Sequence, residues 1–141
     1  MADAVAPIVI VEGRDIEVYP TVAVACLDVE AVDANDGVLE AFDSEGRRLV
    51  FQTHGILLSL KAPPDSHPDP AELERRLRSY IQSVGVDRVG ITDIQDATLP
   101  ALLDAVLRFQ RGKDRETWKW SLRGILARIG RRRIIGGDRP E

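Results

Sequence analysis

Metal-ligand side chains alternate along the chain at Asp65-Ser66-His67-Pro68-Asp69. In an extended loop, Asp65, His67 and Asp69 would face one way and could converge on an ion. The flanking prolines make these ligands hard to orient, and Asp69 is needed elsewhere as a helix cap. No metal site is expected. The run Asp33-Ala34-Asn35-Asp36-Gly37 has calcium-loop residue types. Counted from Asp33, however, its glycine falls at position five instead of six, and no glutamate stands at twelve. It reads as a turn.

Covalent chemistry has little to work with. Cys26 sits in "VAVACL", the setting of a buried structural thiol. His54 lies at a turn between strands. The chain holds no G-x-S-x-G elbow, no G-x-G-x-x-G run and no Walker A sequence. Neither a catalytic residue nor a cofactor is assigned.

Charge is the more informative feature. The net charge of −4 hides a balance of −11 for residues 1–107 (8 Lys/Arg, 19 Asp/Glu) and +7 for residues 108–141 (11 and 4). From Asp28 to Glu45 the chain carries Asp28, Glu30, Asp33, Asp36, Glu40, Asp43 and Glu45 without a single Lys or Arg. One reading is a solvated sheet edge whose charge discourages aggregation. The other is a negative surface that meets a basic partner, since complementary potential speeds and orients encounter. Asp33, Asp36, Asp43 and Glu45 are its candidate binding residues, and all four are expected to be exposed.

The basic counterpart runs from Arg115 to Ile135 and holds both tryptophans. Trp118, Leu122, Ile125, Leu126 and Ile129 follow helical spacing and form one apolar stripe. Trp120 then lies on the far side near Arg123, with Arg131, Arg132 and Arg133 following the Gly130 stop. Trp and Arg dominate interface hot spots, so these residues join the candidate binding set. Attachment to an anionic membrane or a nucleic acid is disfavoured. A body of −11 is repelled by a membrane, and no nucleic-acid docking motif is present.

The elements that must position these groups follow from pattern. "IVIVEGRDIEVY" gives two β-runs around Gly13-Arg14-Asp15. "TVAVACLDV" fits a helix capped by Thr21 or a further strand. "VLEAFDSEGRRLVFQT" gives two more β-runs around Asp43 to Gly46, and "GILLSLKA" a buried strand. In "DPAELERRLRSYIQSVG", Asp69 is an N-cap, Pro70 the first helical residue and Gly85 the stop. Its apolar face is Leu73, Leu77, Tyr80, Ile81 and Val84. "DRVGI" suggests one more short strand. "TLPALLDAVLRFQRG" is a second amphipathic helix, with Leu99, Leu102, Leu103, Val106 and Leu107 inward and Gly112 as terminator.

The expected fold is α+β, an antiparallel β-meander of about five strands covered on one face by amphipathic helices, with a basic C-terminal helix. Phe42, Leu49, Phe51 and Leu58 are the expected sheet contribution to its core. Residues 1–112 form the acidic domain, 113–134 the basic helix docked on it, and 135–141 a disordered tail. A length of 141 residues with 44% apolar and 30% charged residues suits one globular domain. No apolar run is long enough to span a bilayer, and the N-terminus makes a poor signal peptide. A single cysteine and the Arg-rich, Asn-poor bias of a GC-rich bacterial genome point to the cytoplasm.

A small acidic bacterial domain of this kind resembles toxin-neutralising immunity proteins and other adaptor-like modules in general type. The function expected is non-enzymatic binding of a protein with a basic surface. The alternative is a small-molecule-binding protein or enzyme whose site is assembled from dispersed residues.

Overall fold

The computed structural model describes residues 2–29 and 37–112. Asp33, Asp36, Trp118, Trp120, Arg123, Arg131, Arg132 and Arg133 lie outside the described residues, as do the expected basic helix and tail. The described residues up to Phe109 belong to one compact unit.

An open antiparallel sheet is the frame of that unit. Its strands are β1 (Ala2–Asp3), β2 (Ile8–Glu12), β3 (Asp15–Tyr19), β4 (Leu39–Phe42), β5 (Arg48–His54) and β6 (Leu57–Ala62). The spatial order is β1-β6-β5-β4-β2-β3. Strands β4 to β6 form the expected meander. The sheet departs from a simple meander because the β2–β3 hairpin inserts beside β4, with Val9 opposite Phe42. Strand β1, only two residues long, pairs with β6 at the far edge.

Four helices fall among the described residues: α1 (Val22–Asp28), α2 (Pro70–Val84), α3 (Val86–Val89) and α4 (residues 99–112). The ambiguous "TVAVACLDV" is helical because the Thr21 side chain accepts the Val24 N–H at 3.1 Å and Ala25 is buried against the sheet. Asp69 caps α2 as its sequence predicts, accepting the Glu72 N–H at 3.2 Å. Gly85 ends it by donating to the Ile81 carbonyl at 2.8 Å. The expected strand in "DRVGI" is instead the short helix α3. The segment after it is tied to α2 by Arg78, which donates to the carbonyls of Ile94 and Ala97. Helix α4 is still helical at residue 112, where the described residues stop.

Period-two alternation divides the sheet's side chains between two cores. Val9, Val11, Ile16, Val18 and Phe42 face α2 and α4, meeting Leu73, Leu77, Ile81, Leu102, Leu103 and Val106. Ile8, Ile10, Tyr19, Ala41, Leu49 and Leu60 face the other way and meet Ala25 of α1. The sheet is thus covered on both faces, not on one as expected, because the ambiguous segment becomes a helix with an apolar side to bury. Phe51 and Leu58 are only half-buried, since β5 and β6 run out beyond the helices. The turn at their end leaves Ile56 88% and Leu57 69% exposed.

Candidate functional site

Asp43 is the first correction to the expected acidic surface, for it is wholly buried. It stands one residue past β4, where the chain must turn, and its carboxylate serves backbone donors. Oδ1 accepts the N–H groups of Glu45 and Arg47 at 3.0 Å each, and Oδ2 accepts that of Val5 at 3.3 Å. The Arg47 guanidinium lies 3.8 Å away. Buried charge is tolerated when paired and hydrogen-bonded in this way. Asp43 therefore holds the turn, and its expected exposure is overturned.

Other members of the stretch are neutralised from outside it. Glu45 is exposed, at 46% of its side chain, and pairs with Arg47 at 2.8 Å. Glu40 on β4 accepts Arg48 from β5 at 2.6 Å and Arg76 from α2 at 2.8 Å. Arg76 also reaches Glu72, which Arg75 grips with two parallel bonds. Both Arg48 and Arg76 stand over the Phe42 ring, 5.1 and 5.4 Å from its centroid. Bonds from Arg75 and Arg76 hold the Glu72 carboxyl at about 2. Arg76 first, then Arg48, keeps Glu40 below the usual carboxylate range.

The sheet gathers a different set of acids at the β2–β3 hairpin. Glu12 and Asp15 are direct cross-strand partners flanking the Gly13-Arg14 turn, and both are exposed. Alternation places them, with Glu17, on the face opposite Val11 and Ile16. No ion pair among the described residues reaches Glu12 or Asp15. On the same side, the Tyr19 hydroxyl donates to Asp28 at the end of α1 and lies 3.0 Å from Glu17. Burial and the bond to Asp28 push the Tyr19 phenol well above its ordinary range. This carboxylate face was missed because its members are scattered among strand residues.

On the opposite face a groove of about 410 Å³ runs between the hairpin and α2. Buried Val11 and Ile16 give it an apolar floor, and Arg14, Arg75 and Arg76 give it three guanidinium groups. Ser79, Tyr80 and Ser83 line its α2 side. The arginine pair in "ELERRLRS" hinted at intrahelical ion pairs with Glu72. Nothing in the sequence brought Arg14 to them.

The remaining candidates fall into structural roles. Asp69 is occupied by its cap, and among the described residues no three His, Cys, Asp or Glu side chains are grouped to hold a metal. Cys26 is half-buried on α1, and burial raises its thiol. His54 ends β5 at an exposed turn. No described helix is long and apolar enough to cross a membrane. No family model matches the chain, and neither a curated protein nor a solved structure does.

Proposed function

We propose that the protein is a binding module that meets a basic protein partner through the carboxylate face of the β2–β3 hairpin. The observation that carries this reading is the pairing of Glu12 directly opposite Asp15. Like charges facing each other across a ladder are destabilising. Their position beside Glu17 and near Asp28 concentrates negative potential on one side of the sheet. A lysine- or arginine-rich surface docking there relieves that repulsion, and the encounter is steered electrostatically. Glu45, exposed though paired with Arg47, is not part of this surface. It lies past Phe42, at the other end of β4 from the hairpin, since Glu12 stands opposite Leu39 and Val9 opposite Phe42.

The test is affinity capture from a cell extract with the wild-type protein and with Glu12→Lys/Asp15→Lys, at low and at high salt. Wild-type protein should retain a basic partner at low salt, lose it as salt rises, and lose it on charge reversal. A partner retained equally by both proteins at both salt concentrations would sink the electrostatic reading.

A further inference from the structure

We propose that the groove between the β2–β3 hairpin and α2 is a binding site for a phosphate monoester carried on a small apolar body. A volume of about 410 Å³ falls in the range of small-molecule sites, roughly 300–1,000 Å³. Its floor, Val11 and Ile16, is apolar but almost wholly covered, so the apolar contact for a ring or short hydrocarbon comes from Tyr80 and the Arg75 and Arg76 stems on the walls. The cationic groups lie on the same side of the sheet as that floor. Glu12 and Asp15 alternate to the other side and do not line the groove.

The donor set selects the anion. Arg14 enters no ion pair with a described residue, and its guanidinium carries five N–H donors. Arg75 gives Nε and one N–H of Nη2 to Glu72, which leaves Nη1 to point elsewhere. Arg76 is fixed by Glu40 and Glu72 and contributes charge from a rigid position. Arg75 and Arg76 line the groove, and Arg48 shares Glu40 beside it. With the separate Arg14, four guanidinium groups stand near Glu40 and Glu72, a local surplus of two positive charges. A phosphate monoester brings about −1.5 to −2 near neutral pH and three strong acceptor oxygens. A carboxylate brings one charge and leaves part of the surplus unmet. The Ser79 hydroxyl on the groove wall adds a neutral donor.

Titration of the full chain with phenyl phosphate, inorganic phosphate, benzoate and phenol, followed by calorimetry, tests the assignment. Phenyl phosphate should saturate one site and bind more tightly than the other three. Arg14→Ala and Arg75→Ala should each weaken it about tenfold or more, the loss expected for a charge-assisted bond. Arg88→Ala, the same charge change away from the groove, should leave affinity unchanged. Thermal melts of each variant report whether it is folded, and Arg14→Lys, which keeps the charge, should recover part of the affinity. Absence of saturable binding overturns the site. Equal loss in Arg88→Ala reduces it to a general charge effect and overturns it also. Benzoate binding as tightly as phenyl phosphate overturns the phosphate class.

Discussion

Arg76 and Glu40, 36 residues apart in the chain, meet in a two-pronged ion pair, with Nη1 2.8 Å from Oε1 and Nη2 3.2 Å from Oε2. The pair joins α2 to β4 beside Phe42, so the polar network seals one margin of the core. Glu72 shares the same guanidinium, which makes acid the reagent that dissects the network. The Glu72 carboxyl sits at about 2 when folded against an ordinary 4.5. A depressed folded value contributes stability above the unfolded value and loses it as pH falls through the folded one. Urea midpoints should therefore decline between about pH 4.5 and about pH 2. In Glu72→Gln the decline should be shallower and the neutral-pH midpoint slightly lower. An unchanged acid slope would show that the ion pairs contribute nothing to it.

Asp43 should be among the costliest polar residues to remove. Asp43→Ala strands three backbone donors in a buried turn and leaves Arg47 with Glu45 alone. The expected loss is about 3–5 kcal/mol, the range for breaking a buried charged network. Asp43→Asn keeps an acceptor for Glu45 and Arg47 but turns an amide donor toward the Val5 N–H, so it should fall between the two. Denaturant melts in which all three proteins unfold together would contradict the turn-holding role.

What was legible in advance was local. The α2 caps, its stripe of Leu73, Leu77 and Ile81, and the hairpin at Gly13-Arg14 each depend on residues within a few positions of one another. Asp43 was misplaced on the surface because its burial depends on Val5, brought from a distant segment, and on the turn folding back to Arg47. The second covered face hung on "TVAVACLDV", whose Val and Cys content suits strand and helix alike. The Thr21 cap is local, but it takes the apolar face of β2, β4 and β6 to bury Ala25 and settle the segment as a helix. The groove was invisible for the same reason, since Arg14 and Arg75 approach only after the hairpin lies against α2.

Gly46 should tolerate no side chain. Its φ is +83°, and a Cβ placed there would lie 2.6 Å from the carbonyl carbon and oxygen of Asp69 and 2.8 Å from the Pro70 nitrogen. The two backbones approach this closely because the Asp69 N–H donates to the Gly46 carbonyl at 3.1 Å. Gly46→Ala must push the start of α2 away or break that bond, at a cost of about 2–4 kcal/mol. Gly13→Ala is the control. Its φ is also positive, at +62°, but a Cβ meets nothing within 4 Å, so about 1 kcal/mol is expected. Equal chemical-denaturation midpoints for the two variants would refute the close approach at Gly46.

Tyr19 predicts the behaviour in alkali. Burial first, and then the bond to Asp28, raises the phenol above its ordinary value of 10.0. A raised folded value contributes stability that is present below the unfolded value and lost as pH climbs above it. The melting temperature should fall above about pH 10, and less steeply in Tyr19→Phe. At neutral pH that variant should lose about 1 kcal/mol, because Asp28 and Glu17 forfeit a donor. A Tyr19→Phe protein that follows the wild-type alkaline curve would show that another group governs it.

The carboxylate face of the hairpin offers the sharpest division between structure and function. If Glu12 and Asp15 served stability, replacing one of them with a cation would harm the fold. The ladder places them directly opposite each other, so Glu12→Lys turns a repulsive cross-strand pair into an attractive one. Stability should rise, by about 0.2–1 kcal/mol for a pair of this kind. The same substitution should weaken capture of a basic partner and flatten its salt dependence, because the recognition potential is reduced. Paired urea melts and capture assays on Glu12→Lys, with Glu12→Gln as the neutral intermediate, measure both effects on one set of proteins. A stabilised protein with weakened capture is the expected result. A destabilised one would mean that Glu12 has a structural partner and that the repulsion argument fails. A stabilised protein that captures its partner undiminished would place the binding surface elsewhere on the molecule.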